Sequence, residues 1–206
     1  MSEEEVRRGA ADIAPIEPAV SLDRRDFEAL RAGLNSTDEA TAERSGDRLR
    51  RIASMRPELL IPYAEELAQL SAQASAHVRE TSLDALAIIA RIAPGTVAFL
   101  LPRLHAILAT ETTDLLRDRA IDILNLYART SKQAAEKVFP ILVEALDKYG
   151  TRNATRGLNA LAQIVEIVPR FSREAITIAE RYQSNLTGAI SGAAKKLLEI
   201  ASPKQE

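Results

Sequence analysis

Two segments decide the fold, because the second repeats the pattern of the first after 38 residues. Residues 78–90 read VRETSLDALAIIA, and residues 116–128 read LRDRAIDILNLYA. Aligned without gaps, the two segments share apolar, small and aspartate positions along their whole length. Within each segment the apolar residues recur at the three- and four-residue spacing of one helix face. The segments are therefore predicted to be equivalent α-helices of a repeat protein.

The same frame extends through most of the chain. A small residue recurs at spacings of 37, 38, 37 and 36, at Ser45, Ser82, Ala120, Gly157 and Ala193. Four residues after each small residue comes a leucine: Leu49, Leu86, Leu124, Leu161 and Leu197. We expect the small residue to let two helices approach closely and the leucine to fill the seam between successive repeats. Since one helix pair cannot bury its own apolar face, at least about three repeats must stack.

Capping and turn residues divide the chain into about ten helices without strand-like alternation. Ser36, three residues before Glu39, has the spacing of a capping box, and Pro57 suits the first position of a helix. A second set of leucines marks the first helix of the central pairs: Leu67, Leu104 and Leu142. Prolines near the starts or interiors of these helices predict that they bend: Pro62, Pro102 and Pro140. The predicted fold is all-α, an α-α superhelix of about five stacked antiparallel helix pairs.

The two quoted segments also resemble a known family. They are similar to the second helix of HEAT repeats, through Val78-Arg79, Ser82 and Leu86 and through Leu116-Arg117, Ala120 and Leu124. The similarity covers roughly residues 37–201 and is weaker at both ends, as is typical of capping repeats. The resemblance implies a HEAT-repeat (armadillo-like) α-solenoid, a class that serves as scaffolds and adaptors.

Two details refine this resemblance. The fourth copy of the frame begins with Asn153-Ala154 where the central copies have an apolar residue followed by arginine, so we expect that turn to differ. Armadillo repeats are the nearest structural alternative, but no extra short helix per repeat is evident in the sequence. The predicted domains are a disordered, acidic and proline-containing tail over residues 1–20 and one HEAT-like repeat domain over residues 21–203.

Composition excludes several classes of function. The 206 residues include no cysteine, so disulfides and cysteine-ligated metals are excluded. The net charge of −2 gives no global electrostatic case for binding nucleic acid or an anionic membrane. No apolar stretch approaches the roughly 18–20 residues that span a bilayer, and the start of the chain does not resemble a signal peptide. We therefore expect a soluble, cytoplasmic protein.

A polar column runs along the second helices and contains the candidate binding site. It consists of Asp47, Asp84, Asp122, Asn159 and Lys195, and Arg91 and Arg129 follow the two central aspartates by seven residues on the same helix face. Two interpretations of the column are compatible with each other: a partner-binding stripe, and an Asp–Arg ladder that ties successive repeats together, which the pattern favours. Ile88 and Leu126 lie beside it at equivalent positions. The candidate partner-binding residues are Asp84, Ile88, Arg91, Asp122, Leu126, Arg129 and Asn159.

No catalytic, cofactor-binding or metal-binding residues are predicted. The two histidines, His77 and His105, lack the spacing of a metal motif. The sequence thus favours a non-catalytic scaffold or adaptor that binds a protein or peptide. The alternative is a nucleic-acid-associated protein that uses basic side chains of the second half: Arg152, Arg156, Arg170, Arg173, Lys195 and Lys196. The sequence leaves the oligomeric state open, including self-association through an uncapped end.

Overall fold

The computed structural model of the chain describes residues 21–73, 75–111 and 113–202. Within these ranges the chain is helical and contains no strand, which confirms the all-α prediction. The α-helices are α1 (Arg24–Leu34), α2 (Glu39–Met55), α3 (Ala64–Leu70), α4 (Ala76–Ile92), α5 (Leu101–Thr110), α6 (Asp114–Ala128), α7 (Lys132–Tyr149), α8 (Ala154–Ile167), α9 (Ser172–Glu180) and α10 (Gly188–Ala201). The predicted tail, residues 1–20, lies outside the described residues, and the limits of the repeat domain stay a prediction.

The ten α-helices of the described residues form five consecutive pairs that stack in two layers. The first members, α1, α3, α5, α7 and α9, form the first-helix layer, and α2, α4, α6, α8 and α10 form the second-helix layer. Each second helix packs on the second helix of the next pair, whereas contacts between successive first helices are sparser. This arrangement confirms the predicted superhelix of five stacked pairs.

The recurring leucines form the seam that joins the pairs. Leu49, Leu86, Leu124, Leu161 and Leu197 are each 0% exposed. The leucines of the first-helix layer are buried opposite them: Leu67, Leu104 and Leu142. Burying a leucine side chain contributes about 1.5–3 kcal/mol. The recurring leucines therefore stabilise the packing between successive helix pairs.

The small residues lie where the two helices of one pair cross. A Cβ added to Gly157 on α8 would lie 3.0 Å from the Leu146 side chain of α7. At the first pair, a Cβ added to Gly33 on α1 would lie 2.1 Å from the Ser45 hydroxyl oxygen on α2. Ser82 and Ala120 are completely buried at equivalent positions. The close approach expected at the small position is therefore confirmed.

Three pairs contain a short 3₁₀ helix, Pro57–Tyr63, Pro94–Leu100 or Pro169–Phe171, ahead of the α-helix of the first layer. The expectation of no extra short helix was therefore wrong. Each segment begins with a proline, whose fixed φ suits a first helical position. Pro62 and Pro102 lie close to two of the 3₁₀-to-α junctions, whereas α7 runs unbroken through Pro140.

Helix caps explain where helices of both layers begin. Ser75 and Ser131 cap α4 and α7 through their hydroxyl oxygens, which accept from Val78 N and Ala134 N. The capping box predicted at Ser36 is wrong by two residues. Asp38 caps α2 instead and accepts from Thr41 N at 3.0 Å, because a carboxylate is the stronger acceptor for the positive end of the helix dipole.

A buried arginine holds the turn between α7 and α8. Arg117 on α6 is 1% exposed, donates to Asn153 Oδ1 at 2.8 Å and to Glu111 O at 2.8 Å, and stacks over the Tyr149 ring. Asn153 and Gly150 both have positive φ, 59° and 60°. The turn thus differs from the others, as the loss of the apolar-arginine pair at Asn153-Ala154 predicted.

Candidate functional site

The predicted partner-binding residues lie along the second-helix layer. Asp84, Ile88 and Arg91 are on α4; Asp122 and Leu126 are on α6, which Arg129 ends as its C-cap; and Asn159 is on α8. They occupy equivalent positions in three helices that pack on one another. We call the surface that these seven residues share the second-helix face.

Part of the second-helix face is concave. A groove of about 300 Å³ lies between α2, α4 and α6. Three predicted residues, Asp84, Ile88 and Arg91, line this central groove, together with Arg50, Ala53, Ser54, Ala85, Ala87 and Arg119. The groove combines an apolar floor of alanine and isoleucine side chains with charged walls, the composition of many ligand-binding surfaces.

The apolar residues of the face are partly exposed to solvent. Ile88 and Leu126 are partly buried and pack against the core from the second-helix layer. Their remaining surface is exposed between charged neighbours. A partly exposed aliphatic side chain therefore recurs at equivalent positions of two repeats.

The aspartates of the face form a ladder of ion pairs between repeats. Arg119 Nε lies 2.5 Å from Asp84 Oδ1 of the preceding helix. Arg156 on α8 lies 2.7 Å from Asp122 and 3.0 Å from Asp118, which are both on α6, the second helix of the preceding pair. The sequence pattern placed Arg91 and Arg129 on the same helix face as the aspartates, but among the described residues neither of these arginines forms an ion pair.

The ladder is limited at both ends by the sequence itself. Asn159 is neutral, and the position equivalent to Arg156 in the next helix is Gly192, which has no side chain to donate. At the other end, Asp47 pairs with Arg50 of its own helix at 2.6 Å, and Arg50 also donates to Thr81 Oγ1 at 3.3 Å. Charge pairing between the second helices is therefore concentrated at the centre of the stack.

Electrostatics within the ladder favour its charged form. Burial lowers the pKa of the Arg156 guanidinium, but the carboxylates of Asp122 and Asp118 more than offset this effect, so that its pKa is raised. The partners remain partly exposed, and exposed ion pairs contribute about 0–1 kcal/mol each. The ladder fixes the positions of side chains more than it stabilises the fold.

Sequence reasoning missed the arginines that complete the ladder and the arginine buried at the turn between α7 and α8. Arg119 and Arg156 directly precede the small residues Ala120 and Gly157, so their spacing of 37 was visible in the repeat frame. Arg117 was quoted as part of the resemblance, but nothing in the sequence indicated that it would be buried.

The basic side chains of the nucleic-acid alternative do not form one free surface. Arg156 belongs to the ladder, and Arg170 lies 3.2 Å from Glu136. The others are exposed and form no ion pair within the described ranges: Arg152, Arg173, Lys195 and Lys196. Only part of the predicted basic set is therefore unneutralised, and the alternative stays a prediction.

Neither histidine lies in a cluster of metal-binding side chains. His105 Nε2 lies 2.8 Å from Glu144 Oε2 across α5 and α7, and His77 packs against Gly46. Over residues 21–73, 75–111 and 113–202, no group of three or more His, Asp or Glu side chains could hold a metal ion. In the same ranges, no helix has the length and apolar character needed to cross a membrane.

Comparison with solved structures identifies the class of fold. The designed armadillo repeat protein YIII(Dq)4CqI is similar with a TM-score of 0.67 and 19% identity, covering 86% of this chain and 83% of that chain. Designed armadillo repeat protein YIII(Dq.V1)4CPAF, solved in complex with the peptide (KR)4, gives 0.67 and 19% over 86% and 82%. An engineered protein gives 0.68 and 21% over 86% and 81%.

These identities establish the fold alone: the chain is an armadillo/HEAT-like helical repeat solenoid. No family model matches the sequence, and no curated protein matches it.

Proposed function

We propose that the protein is a non-catalytic scaffold or adaptor that binds a segment of a partner protein along the second-helix face. The central groove carries this proposal, because it is a concave surface with an apolar floor and charged walls on a regular array of helices. The site residues are those predicted: Asp84, Ile88, Arg91, Asp122, Leu126, Arg129 and Asn159. A cytoplasmic location remains part of the proposal.

The layer arrangement supports this choice of surface. Second helices pack on one another more closely than first helices do, and a curved stack needs closer spacing on its inner side. Curved solenoids use their concave surface for extended partners. A designed protein of the same fold was solved with a bound peptide, which supports peptide binding as a use of this architecture.

Site-specific photo-crosslinking tests the proposal without disturbing the fold. Ser54 is exposed on the wall of the central groove, and Thr177 is exposed on α9 in the first-helix layer. A photoreactive amino acid at Ser54 should give a crosslink to one partner segment in cells, and the same amino acid at Thr177 should not. Crosslinks at Thr177 with none at Ser54 would place the partner on the first-helix layer and contradict the proposal.

A further inference from the structure

We infer that the second-helix face, from the central groove at Arg91 to Arg129 on the next repeat, selects partner segments that carry carboxylate side chains three residues apart, an inference that rests on the proposed function. Three features of this face support the inference: the charges left unpaired beside the ladder, the spacing of the second helices, and the point along the face where the sign of the charge changes.

The ion pairs of the ladder neutralise the negative charge of the central groove, and positive charge remains exposed there. Its wall contains three arginines and one aspartate: Arg50, Arg91, Arg119 and Asp84. Asp84 is already paired with Arg119 at 2.5 Å, so it is not available to a basic partner. The other two central aspartates, Asp118 and Asp122, are likewise paired with Arg156.

Arg91 is the unpaired cation of the groove. It is exposed, and among the described residues its side chain forms neither an ion pair nor a hydrogen bond. Arg129 occupies the equivalent position at the end of α6 and is also exposed and unpaired there. Arginine presents a planar fork of donors that matches a carboxylate in two parallel hydrogen bonds. Each central repeat therefore offers one arginine beside one aliphatic side chain, Ile88 or Leu126.

The spacing of the two arginines defines the register of the partner. Packed helices lie about 8–10 Å apart, so Arg91 and Arg129 should recur at about that interval. A polyproline II chain rises about 3.1 Å per residue with three residues per turn, which returns a side chain to the same side every ~9 Å. A β-strand returns one every ~6.6 Å. The helix spacing therefore matches carboxylates three residues apart.

The positive column ends at the fourth repeat. The positions equivalent to Arg91 and Arg129 are Ser54 on α2 and Glu166 on α8. Glu166 is exposed and would repel a third carboxylate. The face therefore accepts two carboxylates, one at each central repeat.

Fluorescence anisotropy with labelled peptides tests this inference on the full chain. The probe peptide has glutamate at every third position within a proline- and valine-containing sequence. The comparison peptides are (KR)4 and a peptide of the probe's composition with glutamates two residues apart. We expect the probe to bind most tightly and its affinity to fall as salt rises, because exposed charges are screened.

Charge reversal supplies the matched variants. Arg91→Glu combined with Arg129→Glu should weaken binding of the probe on the order of tenfold and shift the preference toward (KR)4. Arg173→Glu makes the same charge change at an exposed, unpaired arginine in the first-helix layer and should leave affinity unchanged. Glu166→Arg should tighten binding of a probe with three glutamates severalfold.

The outcomes separate this inference from the proposed function. Tighter binding of (KR)4 than of the probe, no binding of the probe at low salt, or an unchanged affinity after reversal of both arginines would overturn the choice of an acidic partner. Equal binding of the two glutamate spacings would overturn the register. In each of these cases a specific crosslink at Ser54 would still support partner binding on this face.

Discussion

The two layers of the solenoid are both tied by ion pairs between repeats, but only the second-helix layer repeats its pattern. In the first-helix layer, Arg24 pairs with Glu66 at 2.5 Å, and His105 pairs with Glu144 at 2.8 Å. These residue types and positions do not recur along that layer. In the second-helix layer, one aspartate position and one arginine position pair in successive repeats.

This difference distinguishes ion pairs that only join neighbouring helices from ion pairs that recur along a surface. Pairs at irregular positions hold neighbouring helices together without creating a surface of fixed period. Pairs at equivalent positions also order the side chains between them, so that Ile88 with Arg91 and Leu126 with Arg129 are presented at a regular interval. A regular interval is what an extended partner segment requires.

The largest expected effect distinguishes the seam from the face within one helix. Leu124→Ala removes a side chain that is 0% exposed and should lower the free energy of unfolding by about 2–5 kcal/mol. Leu126→Ala, two residues away and half exposed, should cost about 1 kcal/mol or less. Urea unfolding followed by circular dichroism measures both. Equal losses would show that Leu126 contributes to the core as much as Leu124 does.

Two glycines sharpen the comparison between buried and open positions of the second-helix layer. Gly157→Val should destabilise by about 1–3 kcal/mol, because the new side chain meets Leu146 where α7 and α8 cross. Gly192→Ala should stabilise by about 0.5–1 kcal/mol, because no atom lies within 4 Å of its added Cβ in α10. Thermal unfolding of the two variants should therefore shift in opposite directions, and a stabilised Gly157→Val would contradict the close crossing.

Removing one rung of the ladder should affect stability only slightly. Asp122→Asn keeps the shape of the side chain but removes its charge beside Arg156, and we expect a loss of less than about 1 kcal/mol. Glu144→Gln provides a matched change in the first-helix layer, at the pair with His105. Urea unfolding at low and high salt checks both variants. A loss of several kcal/mol for Asp122→Asn alone would make the ladder a principal source of stability.

The smallest expected effect is on the stability of the fold in acid, through an ion pair of the first-helix layer. The hydrogen bond from Arg24 lowers the pKa of the Glu66 carboxyl, although partial burial acts in the opposite direction. A carboxyl whose folded pKa lies below its unfolded value stabilises the fold above the unfolded value, about 4.3, and loses this contribution as the pH falls through the folded pKa. Glu66→Gln should therefore lose less stability than the wild type between pH 6 and acid.

Glu65→Gln is the control for this prediction, because Glu65 forms no ion pair among the described residues and lies next to Glu66. Unfolding curves between pH 6 and acid give the free energy of unfolding of both variants and the wild type. A pH dependence that is the same for wild type and Glu66→Gln would show that the Arg24–Glu66 pair does not stabilise the fold.

Sequence periodicity predicted the stack of helix pairs, because the same type of side chain occurs at the same packing position in each pair. The five leucines and the small residues before them specify a seam and a crossing, and both are observed at Leu124 and Gly157. The 3₁₀ segments were not predicted, since they depend on how prolines meet the first helices locally. The partners within the ladder were also not predicted, because pairing of Asp84 with Arg119 depends on the offset between neighbouring helices, which helix periodicity alone does not determine.

The most direct test of the central claim is methyl NMR of the full chain, titrated with the partner segment that crosslinks at Ser54. Ile88 and Leu126 report on the second-helix face, and Ile141 and Ile176 are partly buried reporters on the first-helix layer. We predict that the methyl signals of Ile88 and Leu126 shift on binding while those of Ile141 and Ile176 stay in place. Shifts concentrated at Ile141 and Ile176 would contradict the assignment of the binding surface.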